Sequence, residues 1–296
     1  MADARRPLGD TPRTPRLGIK TAWRDVAAMA TLAEKHGATV LEYQMLPGDI
    51  EYRKQEVFDA FLPYRGRFEL RVHQPEAFEH GGKLHFLDPS SPDPAKRGDS
   101  AAFLAECARF AMELRAKALI FHPGGVWRDG EVGGSPGLLR ESLSDMPKHV
   151  KLLLENMPHF YETRSLPGTP PGNSPAGFRT PSGLKHVDDL VDGYVLDISH
   201  AYLAVPRGSE AVVHAFVREL GARIVHVHAN GSRGGVGCAG EGTPFSDSDY
   251  GADLVRSVLS GVSPDAVVVP EIKDGHHEGG RKFDEGLAFL RALSFW

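Results

Sequence analysis

Cysteine is nearly missing from this chain: Cys107 and Cys238 are the only two in 296 residues. Two thiols cannot supply the disulfide framework of a small secreted scaffold, so a reducing cytoplasm is the simplest setting. Cys107 falls in a helical stretch and reads as a small buried residue. No apolar run approaches the length needed to cross a bilayer, which points away from a membrane partner. The N-terminal stretch around Arg5 and Arg6 lacks the apolar segment of a secretion signal, and residues 1–15 read as a disordered tail. Positive charge is also in short supply. Lys and Arg number 34 against 39 Asp and Glu, a net charge of −5. No dense Lys/Arg stripe with interleaved aromatics occurs, which argues against a nucleic-acid partner and in favour of a small-molecule substrate. No Gly-x-Gly-x-x-Gly follows the first strand-like segment and no Gly-Lys-Ser/Thr loop is present, so a nucleotide-binding open sheet has little to rest on.

What is present is a regular alternation. Strand-like segments at 16–20, 39–44, 68–73, 118–122, 150–155, 194–197, 224–228 and 266–271 alternate with helical periodicity at 22–36, 51–62, 100–114, 138–146, 181–191, 209–220, 248–259 and 281–293. Eight such pairs predict an α/β fold of a single closed (β/α)8 TIM barrel over 16–296, with its site at the C-terminal ends of the strands. Such barrels often pair, so a homo-oligomer is compatible with the chain. Three longer connections, 76–99, 157–180 and 229–247, all follow strand ends and predict extended loops on that same face. The Pro- and Gly-rich run at 165–173 is read as irregular.

Six apolar runs end in a carboxylate or an imidazole: Val72-His73, Phe121-His122, Leu154-Glu155, Leu196-Asp197, Val227-His228 and Pro270-Glu271. Strand ends of a closed barrel surround one axis, so these side chains can converge although they lie far apart in sequence. Glu155, Asp197, His228 and Glu271 come from four consecutive strands. Three carboxylates packed together repel one another, and a divalent cation removes that cost. Three oxygen ligands and one imidazole suit Mn, Co, Mg or Zn, and spacing does not choose among them.

At this point the chain resembles the xylose-isomerase-like TIM-barrel superfamily, which includes sugar isomerases and epimerases and the type-IV AP endonucleases. The resemblance spans about 16 to 293. It rests on Phe121-His122-Pro123-Gly124, Glu155-Asn156, Asp197-Ile198-Ser199-His200-Ala201, His228-Ala229-Asn230, Gly240-Glu241-Gly242 and Glu271. It implies that Glu155, Asp197, His228 and Glu271 hold a metal. It implies a substrate contact or a further zinc at His200, and a second metal held by His73 and His122 with Glu155. The endonucleases also carry an Asp-x-His pair ahead of the Gly-Glu-Gly turn. Here residues 230–239 contain neither Asp nor His, so His200 lacks those partners unless Cys238 substitutes for one.

Two chemistries fit. In the preferred one, a metal-dependent isomerase or epimerase acts on a small polyhydroxy carbonyl compound, with Glu155 and Glu271 as the acid–base pair and His200 on a substrate oxygen. The alternative is a zinc-dependent phosphodiesterase of the AP endonuclease type with one or two metals. A barrel that binds without catalysis is the third reading. Other polar residues have ordinary explanations beside functional ones. His226 alternates with His228 and is read as a packed core imidazole or a partner behind the ligands. Lys273 is read as a solvated cation and Trp127 as a sugar wall or rim cover. The Gly124-Gly125 and Gly240–Gly242 turns offer backbone amides to an anion or simply turn. His80, His85, His276 and His277 are read as loop residues, with a lid role open for His85.

Overall fold

The computed structural model describes residues 14–148, 150–162 and 168–295. Eight parallel strands form one closed barrel: β1 (Arg16–Thr21), β2 (Val40–Gln44), β3 (Glu69–His73), β4 (Ala118–Phe121), β5 (Lys151–Glu155), β6 (Gly193–Asp197), β7 (Ile224–Ala229) and β8 (Val267–Pro270). Each pairs with its sequence neighbours, and β1 closes the ring against β8. The (β/α)8 barrel read from the sequence is therefore the fold. The disordered-tail expectation falls mostly outside the described residues. Among the described residues no helix is long and apolar enough to cross a membrane.

Period-two alternation sorts the strand residues. Leu17, Ile19, Leu41, Tyr43, Leu152, Leu154 and Val268 face outward and join the large cluster packed under the helices. Inside the barrel, Val40, Val267 and Val269 form one small apolar group, and Ala118, Ile120, Leu153 and Val195 form another. Gly18 lets that interior close: a Cβ there would stand 2.9 Å from Val269 Cγ2 and 3.1 Å from Val40 Cβ. The last inward position of a strand, or the next one along, is polar all round the mouth. Ligand-type side chains thus lie above a packed floor.

Helix positions differ from expectation mainly at their starts. The helix expected at 100–114 runs from Pro94 to Glu113, because Asp93 caps it through the amides of Ala95 and Lys96 and Pro94 fills the first turn. The helix expected at 51–62 is split into Asp49–Tyr52 and Lys54–Phe61. At 181–191 only Pro181–Leu184 is α-helical, and a 3-10 turn continues it. The 76–99 connection holds an antiparallel hairpin, Ala77–His80 with Lys83–Phe86. In the 157–180 connection, Phe160–Tyr161 pairs with Gly172–Asn173, so the last two residues of the run read as irregular join a short ladder, while 165–167 lie outside the described residues. A five-residue helix, Ile198–Tyr202, follows β6 directly, where the sequence pattern gives no helix.

Candidate metal centre

Glu155 is the mouth residue on which four imidazoles converge. Its side chain is 1% exposed. Oε2 lies 3.2 Å from His73 Nε2 and 3.3 Å from His122 Nε2. Oε1 lies 3.2 Å from His228 Nδ1 and 3.3 Å from His200 Nδ1. The two oxygens thus face two separate sets of imidazoles. His228 Nδ1 also stands 2.6 Å from Glu271 Oε2 and 4.0 Å from Asp197 Oδ2. Glu155, Asp197, His228 and Glu271 each offer one ligand atom, and those atoms lie within 4.8 Å of one another. His122, Glu155 and His200 meet the same criterion, as do His73, Glu155 and His228.

Local structure fixes each group. Asp197 ends β6 and caps the helix Ile198–Tyr202, its Oδ1 accepting the His200 amide at 2.7 Å. That cap places His200 one turn beyond Asp197, facing the same space. Asn230 donates to Asp197 Oδ2 at 3.0 Å, and Asn156 brackets the Asp197 backbone. The imidazoles are turned by partners behind them. His73 Nδ1 meets the Gln74 carbonyl at 2.9 Å, His200 Nδ1 the Asn156 carbonyl at 2.8 Å, and His122 Nδ1 the Tyr161 hydroxyl at 3.1 Å. A carbonyl can only accept, so His73 keeps its Nε2 for the centre, as metal-binding histidines do.

Electrostatics follow from burial. Burial pushes the Asp197 carboxyl up to about 7, with Glu271 and Glu155 adding to the push against His200 and His228. Burial alone would lower His200, yet Asp197 and Glu241 outweigh it and hold the imidazolium to about 10. His228 is likewise raised, against its burial, by Glu271, Glu42 and Glu155. Burial works against the charge of Glu155, but His228 and His122 hold its carboxyl well below the usual range. Without a cation, protons and Lys20 hold the carboxylates together. Lys20 makes an ion pair with Glu271 and lies 3.4 Å from Glu42.

The donor set fits a divalent cation. Glu271 Oε2 and His122 Nε2 are buried and find no hydrogen-bonding partner of good geometry among the described residues. Each belongs to one of the ligand groups above, and such orphans are costly unless an ion or a water satisfies them. Above the centre lies a pocket of about 440 Å³, within the range that suits a small ligand. Its wall includes His73, His122, Asp197, His200 and Glu271, while Glu155 and His228 lie beneath it.

Several other expectations find their places here. His226 is fully buried against Glu42 and Arg71, behind the centre. Lys273 lines the pocket but donates to the Cys238 carbonyl at 2.6 Å, so it is anchored rather than solvated. Cys238 joins no ligand group among the described residues, whereas Glu241 stands 3.7 Å from His200 Nε2. Trp127 pairs with Asn173 and does not line the pocket. The Gly125 amide is already taken by the Asp88 carboxylate, and the Gly242 amide meets Ser199 Oγ at 3.3 Å. His276 reaches the pocket wall; His80 and His85 sit on the hairpin away from it. Sequence reading missed Lys20, Glu42, Tyr161 and Glu76, and took Glu241 only as part of its glycine turn. Period-two counting places Lys20 and Glu42 inward, but Lys20 is a cation and Glu42 lies short of its strand end, so neither matched the ligand pattern.

No curated protein matches the chain by sequence. Among solved structures, endonuclease IV from Thermus thermophilus superposes with a TM-score of 0.62 at 20% identity, covering 94% of this chain and 100% of that one. D-psicose 3-epimerase from Clostridium cellulolyticum H10 gives 0.63 at 15%, covering 95% and 98%. A protein described as IOLI with a binding zinc atom gives 0.62 at 15%, covering 94% and 97%. At these identities the likeness establishes the fold alone. Residues 15–293 match the family model described as xylose isomerase-like TIM barrel, so the chain belongs to that family.

Proposed function

We propose that the chain is a divalent-metal-dependent isomerase or epimerase that moves a proton on the carbon beside the carbonyl of a small polyhydroxy substrate. One observation carries the reading: Glu155, Asp197, His228 and Glu271 meet beneath a small-ligand pocket whose wall holds Glu271 and His200. These four residues would hold the metal. When bound, the cation supplies Lewis-acid polarisation of the carbonyl and offsets the negative charge that develops on its oxygen.

The chain's own groups then divide the work. Glu271, whose side chain is 28% exposed toward the pocket, is held ionised by His228 and Lys20 against its burial. Its carboxylate takes the C–H proton, that electron pair becomes a carbon–carbon double bond, and the carbonyl π pair moves onto oxygen. Return of a proton to carbon completes the exchange. His200 donates from Nε2 to a substrate oxygen. Glu155 forms the other half of the acid–base pair only from one layer lower, so its first task is to tie the ligands together. The 1% exposure of Glu155 makes the two glutamates unequal, which spacing alone did not foretell.

A second reading rests on a specific observation. Glu155 turns Oε2 to His73 and His122 and Oε1 to His228, an arrangement suited to bridging two metals in a phosphodiesterase centre. Charge weighs against it. Beyond Asp197 and Glu271 the pocket wall carries Asp25, Glu76, Glu162, Glu241 and Asp274 against Lys20, Arg24 and Lys273. That surplus suits an uncharged polyol better than a phosphate backbone.

The deciding experiment offers Mn- or Co-loaded protein a panel of keto-sugars in D2O and, separately, an abasic-site duplex with Zn-loaded protein. Deuterium entering the carbon beside the carbonyl is the expected result, with about one equivalent of metal bound. Strand cleavage without deuterium incorporation would transfer the assignment to the second reading.

A further inference from the structure

Three ionisable side chains lie inside the barrel, one layer below the metal centre. Glu42 on β2, Arg71 on β3 and His226 on β7 are 0%, 7% and 0% exposed. The interior of such a barrel is ordinarily filled by branched apolar residues. Buried charge is expensive and is kept where its partners are well ordered. Here the order has a direction. A guanidinium has donors only. Arg71 Nη1 donates to the Val225 carbonyl at 3.1 Å and lies 2.9 Å from His226 Nδ1, so that nitrogen accepts and the His226 proton sits on Nε2. Nε2 approaches Glu42 Oε2 to 2.7 Å, off the line of an ideal hydrogen bond. The same carboxylate faces His228 Nε2 at 3.0 and 3.1 Å. An ionised carboxylate only accepts, so His228 donates from Nε2 and its Nδ1 is the nitrogen left for the centre.

We propose that Arg71, His226 and Glu42 form a positioning relay that fixes His228 as a donor at Nε2 and presents its Nδ1 to the bound cation. None of the three touches substrate. The proposal rests on the metal reading above, and it assigns work to residues which that reading left idle. Glu42 is the pivot, since it accepts from His228, stands 2.7 Å from His226 Nε2 and also faces the Lys20 ammonium. Glu42→Gln would present an N–H to one of the two imidazoles, and His228 could then turn its own proton toward the centre.

The first test needs no variant. Two-bond 15N–1H spectra of the metal-free chain should show His226 neutral with its proton on Nε2, and a proton on Nδ1 would overturn the relay. The second is Co2+ titration followed by visible absorption. Glu42→Gln and His226→Leu should weaken binding at least tenfold and alter the d–d band. His226→Gln, whose amide N–H falls near the lost Nε2, should recover most of the affinity. Wild-type affinity and spectrum in Glu42→Gln would sink the proposal, and that near-isosteric change decides the matter if His226→Leu does not fold. Failure of the wild type to bind Co2+ would refute the metal reading itself, while the His226 spectrum would still decide the tautomer.

Discussion

At the scale of single residues, charge state decides most of what the centre can do. Glu155 faces four imidazoles, and an amide in its place keeps the shape but loses the charge that gathers them. Glu155→Gln is expected to lower turnover by roughly a thousandfold or more, read as kcat with folding checked by circular dichroism. Asp88 offers a separate stability test away from the ligands. Burial pushes its carboxyl up to about 6, against the Gly125 amide that bonds it. Between about pH 4 and 6 the unfolded chain has released this proton while the native chain still holds it. Stability therefore falls as pH rises through that window, by about 3 kcal/mol in total, and stays lower above it. Asp88→Asn retains an acceptor for the Gly125 amide and removes the titration. Denaturant curves should show the variant gaining on the wild type from pH 4 to 7, and a constant difference would refute the assigned burial cost. Of the residues that matter, those ending strands were legible in sequence because an apolar run stops on them. Glu42 and Tyr161 were not, since Glu42 lies short of its strand end and Tyr161 reaches His122 from the 157–180 connection.

Elements were legible to different degrees for physical reasons. Strands buried on both faces announce themselves as continuous apolar runs, and the eight seen in the structure lie within or beside the eight read from the sequence. Helix starts depend on caps, and Asp93-Pro94 was a cap signal ahead of the periodic stretch that set the expected boundary. The cap predicts its own test: Asp93→Ala should cost about 1 kcal/mol by urea unfolding and leave activity unchanged. Where a cap also faces the centre, a conservative variant should separate the two roles. Asp197 both starts the helix Ile198–Tyr202 and faces the centre, so Asp197→Asn should keep the His200 amide bond and still lose metal affinity. The strands carry a packing constraint as well. Gly18→Ala on β1 would press a methyl against Val269 and Val40, with an expected loss of about 1–3 kcal/mol measured by thermal or denaturant unfolding.

At the scale of the whole molecule, the barrel brings acids together from strands that are remote in sequence, and the fold must offset that repulsion in every state it visits. In the metal-free chain protons do this at Asp197, held near 7, and at His228, raised by the carboxylates around it. A cation entering the group must displace the protons on its ligands, so binding and proton release are one event. Below about pH 7 both Asp197 and His228 Nδ1 give up a proton, whereas above it only His228 does. Affinity should therefore climb by about two decades per pH unit below 7 and by about one above, with the break marking Asp197. Calorimetric titrations in buffers of different ionisation enthalpy measure the released protons directly. The same linkage makes the bound cation a stabiliser of the native state alone, so chelation should lower the melting temperature more at pH 8 than at pH 6. A melting temperature indifferent to chelator at pH 8 would mean that Lys20 and the trapped protons already satisfy the mouth, and the carboxylates would then be structural.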